Sequence, residues 1–269
     1  WEDAVYKMDA GVHLHWPREY TRSWDWSGPG PTKKNEKYEE QIRSIKAFFK
    51  KSRAYAASKV VERDLKMEAM SGLFSGKQTL FIDVNDANAI TQAVHFFKES
   101  GVAKMVIVGG EDSWKVTDIL KENNVAVMVK RVHRTPGRNF EDIDLPYKLP
   151  ALLYKAGILF CLENSGDMEA MGTRNLPFYA GTAAAYGLPK EEAVKSITSN
   201  TAKILGIDAS VGTLEVGKDA TFIVSSGDAL DMLTNNIEFA FVRGKGIDLD
   251  NHQKQLYRKF RSKYAEEKE

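Results

Sequence analysis

The stretch SITSNTAKILG (196–206), followed closely by VGTLEVGKDATFIV (211–224), decides the fold of this chain. Its first half predicts a helix, because the apolar residues there and just before it recur close to a helical period. These residues are Val194, Ile197, Ala202, Ile204 and Leu205. Gly206 is suited to end that helix, because glycine readily adopts the left-handed conformation that closes many helices.

The second half predicts a β-hairpin. Residues 213–216 would form a short strand, 217–219 would turn the chain, and 220–224 would return as a strand rich in β-forming residues. The short polar side chain of Asp219 suits such a turn. Since any α/β protein can contain a helix followed by a hairpin, the secondary structure alone does not specify a family.

Upstream of this stretch, apolar strands alternate with helices. The pattern predicts strands at 11–16, 80–84, 103–108, 125–129 and 158–162, and helices near 36–59, 64–73, 87–99 and 113–122. Residues 17–32, which are rich in aromatic residues, Gly and Pro, predict a long loop. Strands this apolar, alternating with helices, favour a parallel sheet covered by helices. The residues alone leave a (β/α)8 barrel and a doubly wound sheet open.

In order and spacing, the 196–224 stretch resembles the C-terminal signature of the amidohydrolase superfamily. In that family a helix ends the catalytic barrel, and the chain then enters a small β-sandwich. Further stretches resemble the branch of imidazolonepropionases and of Xaa-Pro or Xaa-Arg dipeptidases. They are Asp64–Met70, Leu80–Asn85, Val106–Gly110 and Asn175–Gly181. The resemblance covers residues from about 64 to 248 and favours the barrel.

The resemblance implies an α/β fold in three parts. They are the C-terminal part of a (β/α)8 TIM-like barrel (1–206), a β-sandwich hairpin segment (207–248) and a C-terminal helix (249–269). Because the predicted strands are fewer than the roughly eight of a closed barrel, we expect the C-terminal portion of a longer protein. Exposed strand edges and an exposed apolar face favour aggregation unless another protein segment packs against them. We therefore expect an oligomer, or a partner that is the missing N-terminal half or a second protein chain.

Composition limits the classes of function. The chain has 269 residues, of which 43% are hydrophobic, so it can bury a sizeable core. A net charge of +1 argues against a nucleic-acid partner or an anionic membrane surface, and the single Cys161 excludes an internal disulfide. The sequence contains no apolar run long enough for a membrane span. We expect a soluble protein, and the composition leaves open whether it is cytoplasmic or periplasmic.

In a barrel of this type, chemistry occurs at the carboxyl ends of the strands. The resemblance implies a divalent metal there, with zinc as the family's usual ion, and His13, His15 and Asp83 are the candidate ligands. Alternate residues of a strand point to one side, so the imidazoles of His13 and His15 could grip one ion. However, they stand only about 150 residues before the last barrel strand, which is too close for the first strand of a complete barrel. The alternative is that they are partly buried histidines of a middle strand.

The end of the last predicted strand departs from the family pattern. Asn164 stands where the family has an Asp, and Asn cannot accept the proton of a metal-bound water. Asp83, Glu163, Asn164 and Asp167 are the candidate catalytic residues, and their oxygens could form a remodelled metal site. Helix caps and surface carboxylates without a metal are the alternative.

The segment after the fourth predicted strand is basic. His133 and Arg134 are the candidate substrate-binding residues, because a guanidinium can hold a carboxylate through two parallel hydrogen bonds. A solvated basic loop is the alternative interpretation.

These observations predict a hydrolase that acts on amide or cyclic C–N bonds, with a dipeptide or an imidazolone-type small molecule as substrate. Metal-activated water would attack the carbonyl at an altered metal site. The alternative is a catalytically inactive homologue that binds a ligand or a partner. A nucleotide-binding α/β protein is disfavoured, because the sequence lacks a phosphate-binding loop.

Overall fold

The computed structural model describes residues 5–26, 28–58, 62–164 and 169–265. Within them the strands are β1 (Gly11–His15), β2 (Tyr20–Asp25), β3 (Gly28–Lys34), β4 (Thr79–Val84), β5 (Met105–Gly109), β6 (Ala126–Val129), β7 (Phe160–Leu162), β8 (Phe222–Ser225), β9 (Ile237–Val242) and β10 (Lys245–Gly246). The helices are α1 (Tyr38–Ala57), α2 (Leu65–Ser75), α3 (Ala87–Glu99), α4 (Thr117–Glu122), α5 (Leu145–Lys155), α6 (Leu176–Ala185), α7 (Lys190–Ser196), α8 (Ser199–Leu205) and α9 (His252–Ala265). Two short 3-10 helices cover Ser113–Lys115 and Glu169–Asn175.

A parallel sheet organises the fold. Its strand order is β1-β4-β5-β6-β7, and every neighbouring pair runs in parallel. All five strands predicted from the sequence are present, and helices connect them. This confirms the α/β class and the arrangement of a partial (β/α)8 barrel. In the described part of the chain, β1 and β7 form the two edges of this sheet.

The two faces of the sheet bury different cores. On the face covered by helices, Leu80 and Ile82 of β4 join the main core, which also holds Leu73 of α2 and Phe97 of α3. The opposite face carries a smaller cluster, in which Ile204 of α8 packs against strand residues. Those strand residues are Phe81, Val106, Val108, Ala126 and Cys161. Because side chains alternate along a strand, this second face also carries the polar residues at the strand ends.

In the 196–224 stretch the predicted helix is confirmed, and the predicted hairpin is wrong. The predicted helix is divided into α7 and α8, and Gly206 ends α8 in the left-handed conformation with φ +66°. Residues 213–216 are not a strand, and β8 instead pairs antiparallel with β9. The rings of Phe222 and Phe241 stack across this pair of strands, with their centroids 4.9 Å apart. β8 therefore pairs with the strand that follows it, and not with residues 213–216 before it.

Residues 17–32 also differ from the expectation of a loop. Strands β2 and β3 pair antiparallel, with Tyr20 opposite Lys34 and Thr21 opposite Lys33. The hairpin contains Pro29 and Pro31, which are compatible with an edge strand because proline cannot donate a ladder hydrogen bond. The prediction of an irregular loop was therefore wrong.

No helix in the described ranges combines the length and the apolar character needed to cross a membrane.

Two glycines within residues 211–224 allow a matched test of packing. Gly212 and Gly217 have φ of +102° and +94°, so alanine is strained at either position. A Cβ at Gly212 would lie 2.7 Å from the Cβ of Ala202 in α8, whereas a Cβ at Gly217 would meet nothing within 4 Å. We expect Gly217→Ala to lower the free energy of unfolding by about 1–2 kcal/mol through backbone strain alone. Gly212→Ala should add about 1–3 kcal/mol of overpacking, measured by urea denaturation. Equal losses in the two variants would contradict this packing of residue 212 on α8.

Candidate functional site

The carboxyl ends of β1 and β4 bring two of the predicted residues together. In the parallel register His15 is paired with Asp83, and Nδ1 of His15 donates to Oδ2 of Asp83 at 2.8 Å. Since a carboxylate can only accept, the proton of this bond belongs to Nδ1. The side chains are 87% and 36% exposed, respectively. The Nε2 atom of a neutral His15 is thereby left as the acceptor.

His13 occupies a different environment from His15. It lies two residues earlier on the same face of β1, where its ring stacks on that of Phe81. The ring centroids are 4.8 Å apart, and the angle between the ring planes is 12°. Both His13 and His15 are exposed, which corrects the alternative that they are partly buried. The structure thus records an aromatic contact for His13 and a carboxylate contact for His15.

The end of β7 holds two more predicted residues. Glu163 is 6% exposed, and its backbone N–H donates to the carbonyl oxygen of Val129 at 3.0 Å. The Nδ2 atom of Asn164 donates to Oγ1 of Thr173 at 3.3 Å. Asp167 lies outside the described residues. Burial raises the pKa of the nearby Cys161 thiol to about 12, so Cys161 is not a thiolate nucleophile at neutral pH.

His133 contacts helices rather than the His15–Asp83 pair. Nε2 of His133 lies 2.6 Å from Oγ1 of Thr182 in α6, and its ring meets that of Tyr179 edge to face at 4.7 Å. Burial, with a smaller contribution from the charge of Arg131, lowers the pKa of His133 below its usual value. The imidazole therefore favours its neutral form.

Arg134 belongs to an ion-pair cluster that the sequence interpretation missed. Glu111, in the loop after β5, accepts from Lys130 at 2.8 Å and from Arg134 at 3.2 Å. Burial raises the pKa of Glu111, but Arg134 and Lys130 together outweigh it and hold the pKa below its usual value. Arg134 thus has an internal carboxylate partner in this structure.

The adjacent Asp112 is also part of this cluster. Its side chain is 3% exposed and is held by Arg138 at 2.7 Å and Lys115 at 2.8 Å. Burial raises the pKa of Asp112, but the hydrogen bonds from Arg138 and Lys115 outweigh burial. The pKa of Asp112 is therefore below its usual value. The side chain of Asp112 makes no cap hydrogen bond to the helix at 113–115. Acidic residues directly after a buried strand, facing a downstream run of Arg residues, are the signal that could have revealed this cluster.

The donors at the His15–Asp83 pair do not make a complete metal centre. The pair offers one imidazole nitrogen and one further carboxylate oxygen, whereas zinc sites use three or four protein ligands. Across the described ranges, no three side chains of His, Cys, Asp or Glu come close enough to hold an ion. The described residues therefore do not by themselves supply the ligand set that the family's metal needs.

Comparisons with known proteins place the chain beside amidohydrolases. The model of the amidohydrolase family matches residues 159–247. An amidohydrolase from Thermotoga maritima MSB8 has a similar structure, with a TM-score of 0.73 and 24% identity over 92% of this chain and 64% of its own. A Xaa-Pro dipeptidase with bound methionine in its active site has a TM-score of 0.51 and 17% identity over 67% of this chain and 47% of its own. Phenylurea hydrolase B has a TM-score of 0.50 and 14% identity over 78% of this chain and 58% of its own. No curated protein matches the chain.

The family model matches residues 159–247, and the Thermotoga amidohydrolase shares the fold of this chain, so the chain is similar to amidohydrolases. The resemblance drawn from the sequence is thereby confirmed, and a Xaa-Pro dipeptidase is among the similar structures. This chain spans less than two thirds of the Thermotoga protein's length. At these identities the solved structures establish the shared fold, and the substrate is a separate question.

The partly buried position of His133 predicts a pH dependence of stability. Its pKa is lower in the folded protein than the value of about 6.5 in the unfolded chain, so below that pH the unfolded state takes up the proton first. The stabilisation from neutral His133 is complete above about pH 6.5 and is lost as the pH falls through the folded pKa. His133→Gln, which cannot titrate, should flatten the decline in unfolding free energy below pH 6.5, measured by urea denaturation at several pH values. The exposed His252→Gln is the control, and an equal effect of the two variants would contradict the assignment to His133.

Proposed function

We propose that this protein is a hydrolase of amide or cyclic C–N bonds, with a dipeptide or an imidazolone-type molecule as substrate. The single observation that supports this proposal most is the hydrogen bond between His15 and Asp83 at the carboxyl edge of the sheet. Chemistry in barrels of this class occurs at that edge. The amidohydrolase-like fold and the match at 159–247 support the reaction class.

The pair can act as an oriented base. Asp83 holds Nδ1–H, so Nε2 of His15 can take a proton from water while the water oxygen attacks the carbonyl carbon. When the C–N bond breaks, the same nitrogen can return that proton to the departing amine. The carboxylate stabilises the imidazolium that exists between the two steps. The high exposure of His15 is compatible with direct access for a substrate.

A divalent ion, zinc by family resemblance, stays a separate proposal. Together with Asp83, the two candidate histidines His13 and His15 would have to be joined by ligands from other segments. Glu163, Asn164 and Asp167 at the end of the last strand are the proposed further catalytic residues. His133 and Arg134 are proposed to bind substrate. Substrate binding would then have to be compatible with the contact of His133 to Thr182 and with that of Arg134 to Glu111.

The open sheet edges support an oligomer or a covering chain. In the described residues β1 and β7 each pair on one side only. The small antiparallel sheet also leaves apolar side chains exposed, with Ile223 53% and Phe239 56% accessible. Light scattering should therefore give a mass above the 30.2 kDa of one chain. A monomer at high protein concentration would contradict self-association and would leave a separate chain, such as an N-terminal half, as the proposed cover.

The His15–Asp83 pair supplies the direct test of hydrolysis. Asp83→Asn keeps the shape of the side chain but removes its charge, so we expect kcat/KM on dipeptide or cyclic amide substrates to fall about 10²- to 10⁴-fold. The exposed Asp118→Asn on α4 is the matched control. Wild-type activity in Asp83→Asn would contradict the proposed base.

Elemental analysis of the same proteins tests the ion. If Asp83 is a ligand, the wild type carries stoichiometric zinc, manganese or iron, and Asp83→Asn loses it. Unchanged metal content in the variant would remove Asp83 from the ligand set. A protein without metal that hydrolyses neither dipeptides nor cyclic amides would support the alternative of a ligand- or partner-binding homologue.

A further inference from the structure

Arg138 is the centre of an ion-pair network that joins three loops at the carboxyl edge of the sheet. Its Nη1 and Nη2 atoms donate to the two carboxylate oxygens of Asp112 at 2.8 and 2.7 Å. Nη1 also donates to Glu141 at 2.7 Å, and Nη2 to Asp86 at 3.2 Å. Asp86 follows β4, Asp112 follows β5, and Arg138 itself follows β6. One guanidinium therefore links three consecutive strand-to-helix loops.

The network continues into the backbone that follows Asp83. The backbone N–H of Ala87 donates to Oδ2 of Asp112 at 3.3 Å, and that of Asp112 donates to the carbonyl oxygen of Asn85 at 2.9 Å. The backbone N–H of Gly110 donates to the carbonyl oxygen of Val84 at 3.0 Å. Residues 84–87 are thus held by the 110–112 loop, whose carboxylate is held by Arg138. These bonds begin one residue after Asp83.

The geometry at position 138 suits a guanidinium better than a lysine ammonium. Asp112 and Glu141 are 3% and 9% exposed, so their charges need hydrogen-bonded cations. The planar guanidinium binds Asp112 with two parallel bonds and still reaches two further carboxylates, whereas a lysine ammonium is a single point charge. Lys115 bonds Asp112 at 2.8 Å but does not bridge to the loop after β4.

We propose that Arg138 is a positioning residue for the His15–Asp83 pair. It fixes the segment that continues from Asp83 and so keeps the carboxylate in line with Nδ1 of His15. This inference rests on the proposed function for its kinetic consequence, but the geometry of the pair can be measured without any substrate.

The tautomer of His15 is the readout. Nitrogen NMR of the imidazoles distinguishes protonated Nδ1 from protonated Nε2, and the His15→Gln variant identifies the His15 signals. The wild type should show protonated Nδ1. Arg138→Met should shift His15 towards a mixture of the two tautomers, and Arg138→Lys should restore the wild-type pattern only in part. On an active substrate, kcat should fall about 10-fold with little change in KM, as expected for a misplaced base.

Two further variants keep the test decisive. Arg258→Met is the matched control, because Arg258 makes two 2.7 Å bonds to Asp250 but belongs to α9. If Arg138→Met does not fold, Asp86→Asn is the second variant. It removes the negative charge that Arg138 contacts in the loop after β4, and Asn is still a suitable N-cap for α3. A wild-type tautomer in Arg138→Met, or in Asp86→Asn where only that variant folds, would overturn the proposal. If Asp83→Asn keeps full hydrolytic activity while Arg138→Met disturbs the tautomer, the proposed function fails and the positioning role stands.

Discussion

Parallel pairing of the sheet is the constraint on which the rest of this structure depends. Because β1, β4, β5, β6 and β7 run in the same direction, their carboxyl ends meet at one edge. Side chains from residues far apart in sequence are therefore neighbours there, as His15 and Asp83 are across 68 positions. One face of the sheet is buried in the main core, and the other face, on which α8 packs, carries polar residues at its strand ends. The candidate site is a consequence of this direction of the strands.

The charges at this edge are arranged at two levels. The outer level is the exposed His15 with Asp83, which is open to solvent and able to meet a small molecule. The inner level is the cluster around Glu111 and Asp112, where burial alone would favour the neutral acids. Cations within hydrogen-bonding distance reverse that preference, and removal of one of them would leave a buried charge without compensation. The inner level therefore joins the loops through buried ion pairs, whereas the outer level faces solvent.

The sequence predicted elements better than it predicted their pairing. The five apolar runs became the five parallel strands, because a buried parallel strand needs little beyond continuous apolar residues. The composition of residues 213–216 predicts a strand that pairs with residues 220–224. In the structure β8 pairs with β9 instead, and Phe222 stacks on Phe241 across that pair. Residues 17–32 were predicted as a loop because proline and glycine usually mark one, yet β2 and β3 pair there as a hairpin. In both cases the error concerned a choice of hydrogen-bonding partner, which local composition does not encode.

The sequence by itself determined the α/β class, the end of α8 at Gly206 and the resemblance to amidohydrolases. Each depends on local periodicity, on the conformational freedom of one residue or on a continuous motif. Tertiary structure alone decided that His15 bonds Asp83 while His13 stacks on Phe81. It also decided that His133 contacts Thr182. Arg134 and Arg138 likewise pair with acidic residues of the loops only in the folded chain. The physical reason is that a polar side chain has several partners of similar energy within reach. Which of them it meets is set by the register of strands and the course of loops that only the folded chain defines.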